Sequence, residues 1–189
     1  MTRTAFSISI DLSRVMKPLL KIAVLLLVLI TMGGCKSGKK NVKPDSSPHN
    51  DIVTIDKHSI KGNKEQKALV EEAMTWIGVP YAYAKSDKKE GTDCSGLVLR
   101  VYLDVLDIKL PRNSAQQAEF CKKIDKEDVE PGDLVFFATG KDPDKISHVG
   151  IMIDKENFIH ASTKKGVLIS QLNTPYYIRT FRQAGRVPR

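Results

Sequence analysis

Three residues of this chain have the types and spacing for nucleophilic catalysis. Cys94 stands in TDCSGLVLRVYLDVL, one residue after an aspartate and at the mouth of an apolar, helix-period run. A helix N-terminus carries partial positive charge and unpaired amide hydrogens. Both favour thiolate, and the thiolate is the nucleophile. Asp93 is placed to cap that helix, and Gly96 keeps the approach to the sulfur open. A cysteine alone proves little, because it is among the most buried residue types. Two histidines downstream strengthen the case. His148 opens the alternating segment HVGIMI, so His148, Gly150 and Met152 share one face. His160 lies in NFIHA, on the next strand. A turn centred near Asp154 would set the two histidines directly across from each other, with Cβ atoms within about 5 Å. One imidazole then takes the thiol proton while the other holds it in a useful tautomer. The same residue types suit zinc, but no close-spaced ligand pair supports a metal site, and no cofactor motif is present.

The elements that must position these residues follow from the apolar pattern. Asn63 and Gln66 make a capping-box signature, and Leu69, Val70, Ala73, Met74 and Ile77 then fall on one helix face, ended by Gly78 and Pro80. The loop YAYAKSDKKEGT leads to Asp93, and Leu97 to Leu106 form a strongly apolar helix. Pro111 breaks the chain, and Asn113 or Ser114 starts a shorter helix through about Lys123. Beyond the Pro131-Gly132 turn the pattern is of strands: LVFFA, HVGIMI, NFIHA, GVLISQL, YYIRTF and a last piece near Arg186. Helices first and strands afterwards predict an α+β fold, with helices against one face of a small antiparallel sheet.

The chain has 189 residues and a net charge of +8. No aromatic-interleaved basic stripe or nucleic-acid motif accompanies that charge, so it does not read as a nucleic-acid binder. Residues 1–34 do not read as fold. Arg3, Arg14, Lys17 and Lys21 precede Ile22 to Ile30, an apolar run too short to span a membrane, and then Thr31-Met32-Gly33-Gly34. With Cys35 next, this resembles a bacterial lipoprotein signal, which implies cleavage before Cys35 and a lipid on it. The resemblance places the protein in the cell envelope, anchored to a membrane. Loss of the leader, with four basic residues and one acidic, leaves +5. Residues 35–62 are rich in Lys, Ser, Asn and Pro and read as a solvated tether holding His49 and His58, with a candidate edge strand at Ile52 to Ile55. The domain is expected over 63–189. Cys121 has no partner motif and reads as a small buried residue.

PYAYA…GTDCSGLVLRVY, PRNSAQQ, VEPGDLVFF, SHVGIMI and FIHAS, in that order, resemble the NlpC family of bacterial cell-wall peptidases (NlpC/p-sixty). The match runs from about Gln66 to Val187. It implies a reduced papain-like fold and cleavage of peptidoglycan stem peptides, next to a D-glutamyl residue or in the cross-link. Carried over by motif, Cys94 is the nucleophile, His148 the base and His160 its orienter. Tyr81 resembles the family tyrosine near the oxyanion, and Asp93 and Ser95 the residues that receive the substrate's amino end. Ala84-Lys85 stand where the family has a glycine pair, and Tyr83 where tryptophan is commoner. These departures bear on specificity rather than chemistry. Arg112 and Gln117 read as braces.

The reading is of a monomeric, lipid-tethered peptidoglycan endopeptidase. The alternatives are a Cys–His–His acyltransferase or amidase on another substrate, and a catalytically dead wall-binding module. An acyltransferase would need an apolar tunnel, and no long hydrophobic segment outside the leader supplies one. The three intact residues argue against a dead module.

Overall fold

The computed structural model describes residues 60–189. The leader, Cys35, His49, His58 and the Ile52 to Ile55 segment lie outside the described residues. Among those described, no helix is long and apolar enough to cross a membrane.

Helix α1 spans Lys64–Met74 and begins with the expected capping box. Gln66 N donates to Asn63 Oδ1 at 2.9 Å, and Asn63 N donates to Gln66 Oε1 at 2.8 Å. Ile60, within the stretch read as tether, is buried in the main core, so packing begins before Asn63. The helix stops at Met74, short of the expected Ile77. Trp76 N and Ile77 N bond back three residues, to Ala73 O and Met74 O. That tighter winding turns Trp76 inward and leaves Ile77 46% exposed.

A two-stranded ribbon, β1 (Ser86–Asp87) and β2 (Gly91–Thr92), precedes helix α2 (Cys94–Leu106). Helix α3 (Ser114–Phe120) is shorter than the expected span to Lys123. Cys121 turns extended, and Lys122–Ile124 becomes strand β3, which the sequence did not suggest. The remaining elements are β4 (Leu134–Phe137), β5 (His148–Met152), β6 (Asn157–Ser162), β7 (Gly166–Gln171), α4 (Pro175–Thr180) and β8 (Phe181–Arg186).

The YYIRTF segment, expected as a strand, is mostly the short helix α4. Its aromatic and β-branched residues favour strand, but Pro175 sits at its first turn with φ already set for a helix. The consequence is functional, because helical winding aims Tyr177 inward.

Six strands form one antiparallel sheet in the order β3-β8-β4-β5-β6-β7. Strand alternation splits the core in two. Leu134, Phe136, Val149, Ile151, Ile159 and Ala161 pack with Leu69, Val70, Leu97, Val98 and Val101 of α1 and α2. Val135, Phe137, Met152 and Phe158 point the other way, with Tyr177 and Phe181 against them. The two main helices therefore cover one face, as expected, and α4 helps to close the other. Each fully buried Leu, Val, Ile or Phe contributes about 1.5–3 kcal/mol of transfer free energy.

Candidate active site

The site forms where the first turn of α2 meets the start of β5. Asp93 is the cap of α2: its Oδ1 accepts from Gly96 N at 2.7 Å. Cys94 is therefore the first helical residue, and the amides of Cys94 and Ser95 approach its sulfur. The backbone N–H of Val149, next to His148, is near enough to that sulfur to favour its thiolate. This contact brings the start of β5 to the thiol.

The two histidines meet as expected, but in a different register. Ile151 pairs with Ile159 and Met152 with Phe158, so Gly150, not His148, stands opposite His160. The turn is centred one residue beyond Asp154, because the Asp154 side chain gathers the amides of Glu156 and Asn157. His148 and His160 are therefore diagonal neighbours on one face, a spacing long side chains can close. His148 Nε2 and His160 Nδ1 are 2.9 Å apart, with the rings edge to face. Since Nε2 of His148 is committed to His160, Nδ1 is the nitrogen left to serve the thiol.

Burial dominates the electrostatics. It pushes the Cys94 thiol up to about 11, against the pull of the Val149, Ser95 and Cys94 amides. It pushes the His148 imidazole down to about 4. His160 is held well below its ordinary value by burial and then by His148. The helix start alone thus does not make a resting thiolate, contrary to the simplest expectation from sequence. Taken separately, both groups favour their neutral forms. Proton transfer between them would create two opposite charges, whose mutual attraction offsets part of the cost of ionising each.

Tyr81 bridges to Thr92, with Ala82 N donating to Thr92 O and Thr92 N to Pro80 O, both at 3.0 Å. This pins the tyrosine beside the residues that open α2. Burial raises its phenol, as do the charges of Cys94 and Asp93, so it stays a hydrogen-bond donor at neutral pH. Tyr83 is 84% exposed at the rim.

Asp93 does more than cap. Arg112 grips it with two bonds, Nη1 to Oδ1 at 3.0 Å and Nη2 to Oδ2 at 2.7 Å. Ser95 Oγ donates to Asp93 Oδ1 at 3.1 Å and accepts from Arg112 Nη1 at 3.0 Å. Ala84 N donates to Asp93 Oδ2 at 2.8 Å from a left-handed backbone, φ 59°. Burial raises the Asp93 carboxyl, but the Arg112 and Gly96 hydrogen bonds outweigh it and hold the carboxyl low. Gln117 braces from below, its Nε2 donating to Ser95 O and Pro111 O. Arg112 and Gln117 are the braces the sequence suggested, and they brace the site itself.

Two residues beside the histidines were missed in sequence. Ser170 Oγ lies 2.9 Å from His160 Nε2, and Tyr177 Oη lies 3.1 Å from the same nitrogen. Ser170 shares the parity of His160 once β7 is paired, since Phe158 faces Ser170 and His160 faces Leu168. Tyr177 carried no such signal, because its segment read as a strand. Among the described residues no cluster of three or more His, Cys, Asp or Glu is arranged to hold a metal ion.

The chain is similar to several known proteins. A relative from Escherichia coli K12, "Probable endopeptidase NlpC", is 36% identical over 89% of this chain and all of its own length. "Murein DD-endopeptidase MepS/Murein LD-carboxypeptidase" of the same organism is 31% identical over 87% of this chain and 89% of its own. A crystal structure from Staphylococcus aureus, described as similar to a lipoprotein of the NLP/P60 family, superposes with a TM-score of 0.61 at 29% identity. That match covers 68% of this chain and 43% of the other. The NlpC/P60 family model matches residues 78–186, which take in Tyr81, Cys94 and both histidines, and the chain belongs to the NlpC/P60 family.

Proposed function

We propose that the protein is a peptidoglycan endopeptidase that cleaves an amide of the stem peptide, next to D-glutamyl or in the cross-link, through a cysteine acyl-enzyme. The observation that carries this reading is the 2.9 Å contact between His148 Nε2 and His160 Nδ1, beside a thiol whose thiolate form the neighbouring Val149 amide favours. The names of the E. coli relatives support the substrate class.

In the first step the Cys94 S–H bond breaks and its proton forms an N–H bond at His148 Nδ1. The thiolate attacks the carbonyl carbon and an oxyanion develops. The Cys94 amide, at the helix start, and the Tyr81 hydroxyl are the candidate donors to it. His148 Nδ1–H then protonates the leaving amine as the C–N bond breaks. Water, deprotonated by the same nitrogen, attacks the thioester, and the C–S bond breaks to release the acid and restore the thiol. The Asp93–Ser95–Arg112 cluster next to the nucleophile is the candidate receiver of the substrate's amino end. Asp93 is negative and already saturated with donors, so its part is electrostatic attraction more than a free lone pair.

The protein acts as a monomer at the cell envelope, held to a membrane by lipid on Cys35, with residues 35–62 as the linker between lipid and domain. The test is digestion of peptidoglycan sacculi with the full chain in detergent, beside Cys94→Ala, with fragments identified by mass spectrometry. New muropeptides from the wild type alone would establish the reading and name the bond. Their absence from both digests would refute it.

A further inference from the structure

His160 is supported as carefully as it supports His148. The residue is 2% exposed. Three same-face residues step diagonally across three adjacent strands: His148 on β5, His160 on β6 and Ser170 on β7. Tyr177 closes the row from α4, its ring 4.8 Å from Phe158 and 5.1 Å from Phe137 by centroid. Both nitrogens of His160 are therefore committed: Nδ1 to His148, Nε2 to two hydroxyls.

That arrangement admits two proton patterns, and only one suits the reaction. In the first, His160 carries its proton on Nε2, shared between Ser170 Oγ and Tyr177 Oη. Its Nδ1 is then a bare acceptor for the Nε2–H of His148, and His148 Nδ1 is free to take the thiol proton. In the second, the hydroxyls donate to Nε2, His160 protonates on Nδ1, and it donates to His148 Nε2. His148 must then carry its own proton on Nδ1 and cannot act as base. When His148 becomes imidazolium both its nitrogens bear hydrogens, and only the first pattern gives Nε2–H an acceptor. Tyr177 can pass its own hydrogen to Ser170 Oγ, 3.5 Å away, which leaves phenol lone pairs for His160.

We propose that Ser170 and Tyr177 are positioning residues of the active site, whose hydroxyls accept the Nε2 proton of His160 and so fix the tautomer that makes His148 a base. The proposal rests on the assignment of Cys94 and His148 as nucleophile and base. No bond to substrate is involved: one N–H hydrogen is shared by two oxygens, and no proton leaves the pair of histidines.

The groups facing His160 are His148 from β5, the Ser170 hydroxyl from β7, the Tyr177 phenol from α4 and the Phe158 ring from its own strand. Arg179, the charged residue of α4, lies over the Tyr176 ring instead. The support is thus built of neutral groups, which orient without adding charge.

The experiment is steady-state hydrolysis of a stem peptide by the full chain and by Ser170→Ala, Tyr177→Phe, the double variant and Ser170→Thr, with imidazole nitrogen-15 spectra of each. Either hydroxyl alone can hold the shared proton, so each single loss is expected to be small, within about threefold in kcat. The double variant leaves a buried N–H unpaired and is expected to lose about ten- to a hundredfold in kcat with KM unchanged. Its His160 spectrum should shift from the Nε2–H form toward the Nδ1–H form, and Ser170→Thr should retain both rate and tautomer. A double variant with wild-type kcat overturns the proposal. So does a fall in kcat with the tautomer unchanged, which would make the hydroxyls merely structural. Cys94→Ala and His148→Ala, run alongside, separate this outcome from a failure of the catalytic assignment: full activity in either would mean that the nucleophile or base has been misassigned.

Discussion

Acid should destabilise the fold through the buried histidine pair, and the size of the effect can be worked out. His148 is 9% exposed, and burial takes its imidazole from the ordinary 6.5 down to about 4. A histidine held neutral in the fold binds fewer protons than its unfolded counterpart between those two values. Stability from this group is therefore fully present above about pH 6.5 and is lost as pH falls toward 4. The two-state linkage relation gives a loss of about 1 kcal/mol by pH 6, about 2 by pH 5 and about 3 by pH 4. His160, also buried, adds to the same window. The assay is urea unfolding at half-unit steps from pH 7.5 to 4, for the wild type and for His148→Gln. The neutral amide keeps a polar group at the site but cannot titrate. The wild type should lose about 3 kcal/mol more than the variant across that range. Parallel curves would refute the reasoning. A wild type that gains on the variant as pH falls would show a resting imidazolium paired with thiolate.

Other expectations follow from the same contacts. Gly96→Ala places a methyl carbon 2.3 Å from the backbone oxygen of Lys85, in the loop that carries Ala84 over the site. It should cost about 2–3 kcal/mol or more by chemical denaturation, because backbone on both sides has to move. Arg112→Leu strips Asp93 of both guanidinium bonds and should raise KM more than it lowers kcat. The guanidinium is partly exposed, so the stability loss should be only about 1–2 kcal/mol by thermal melting. Iodoacetamide should label Cys94 in the folded protein and spare Cys121, whose thiol burial raises to about 12. Peptide mapping reads both sites, and His148→Ala should slow labelling at Cys94 at least tenfold.

Much of this was legible in the chain, and the exceptions have physical causes. The α1 cap was readable because its two hydrogen bonds are local, between Asn63 and Gln66. The Cys94 position was readable because a helix start, its cap and an apolar run sit in one stretch. The histidine pairing was right in face but wrong by one residue in the turn centre, since Asp154 gathers amides beyond itself. The acidity of the thiol was misjudged, because burial depends on what packs over the helix start and not on the helix alone. Tyr177 was invisible because a single proline at a helix start outweighed a strand-like composition. Strand β3 was hidden because its pairing with β8 spans more than fifty residues of chain.

If Cys94 is the nucleophile, active-site titration should count it. The full chain would be treated with graded iodoacetamide, and the fraction of Cys94 alkylated compared with the fraction of peptidoglycan-hydrolysing activity left. Activity should fall in proportion to Cys94 modification and reach zero when that residue alone is fully alkylated. Substantial activity from protein whose Cys94 is fully alkylated would contradict that assignment.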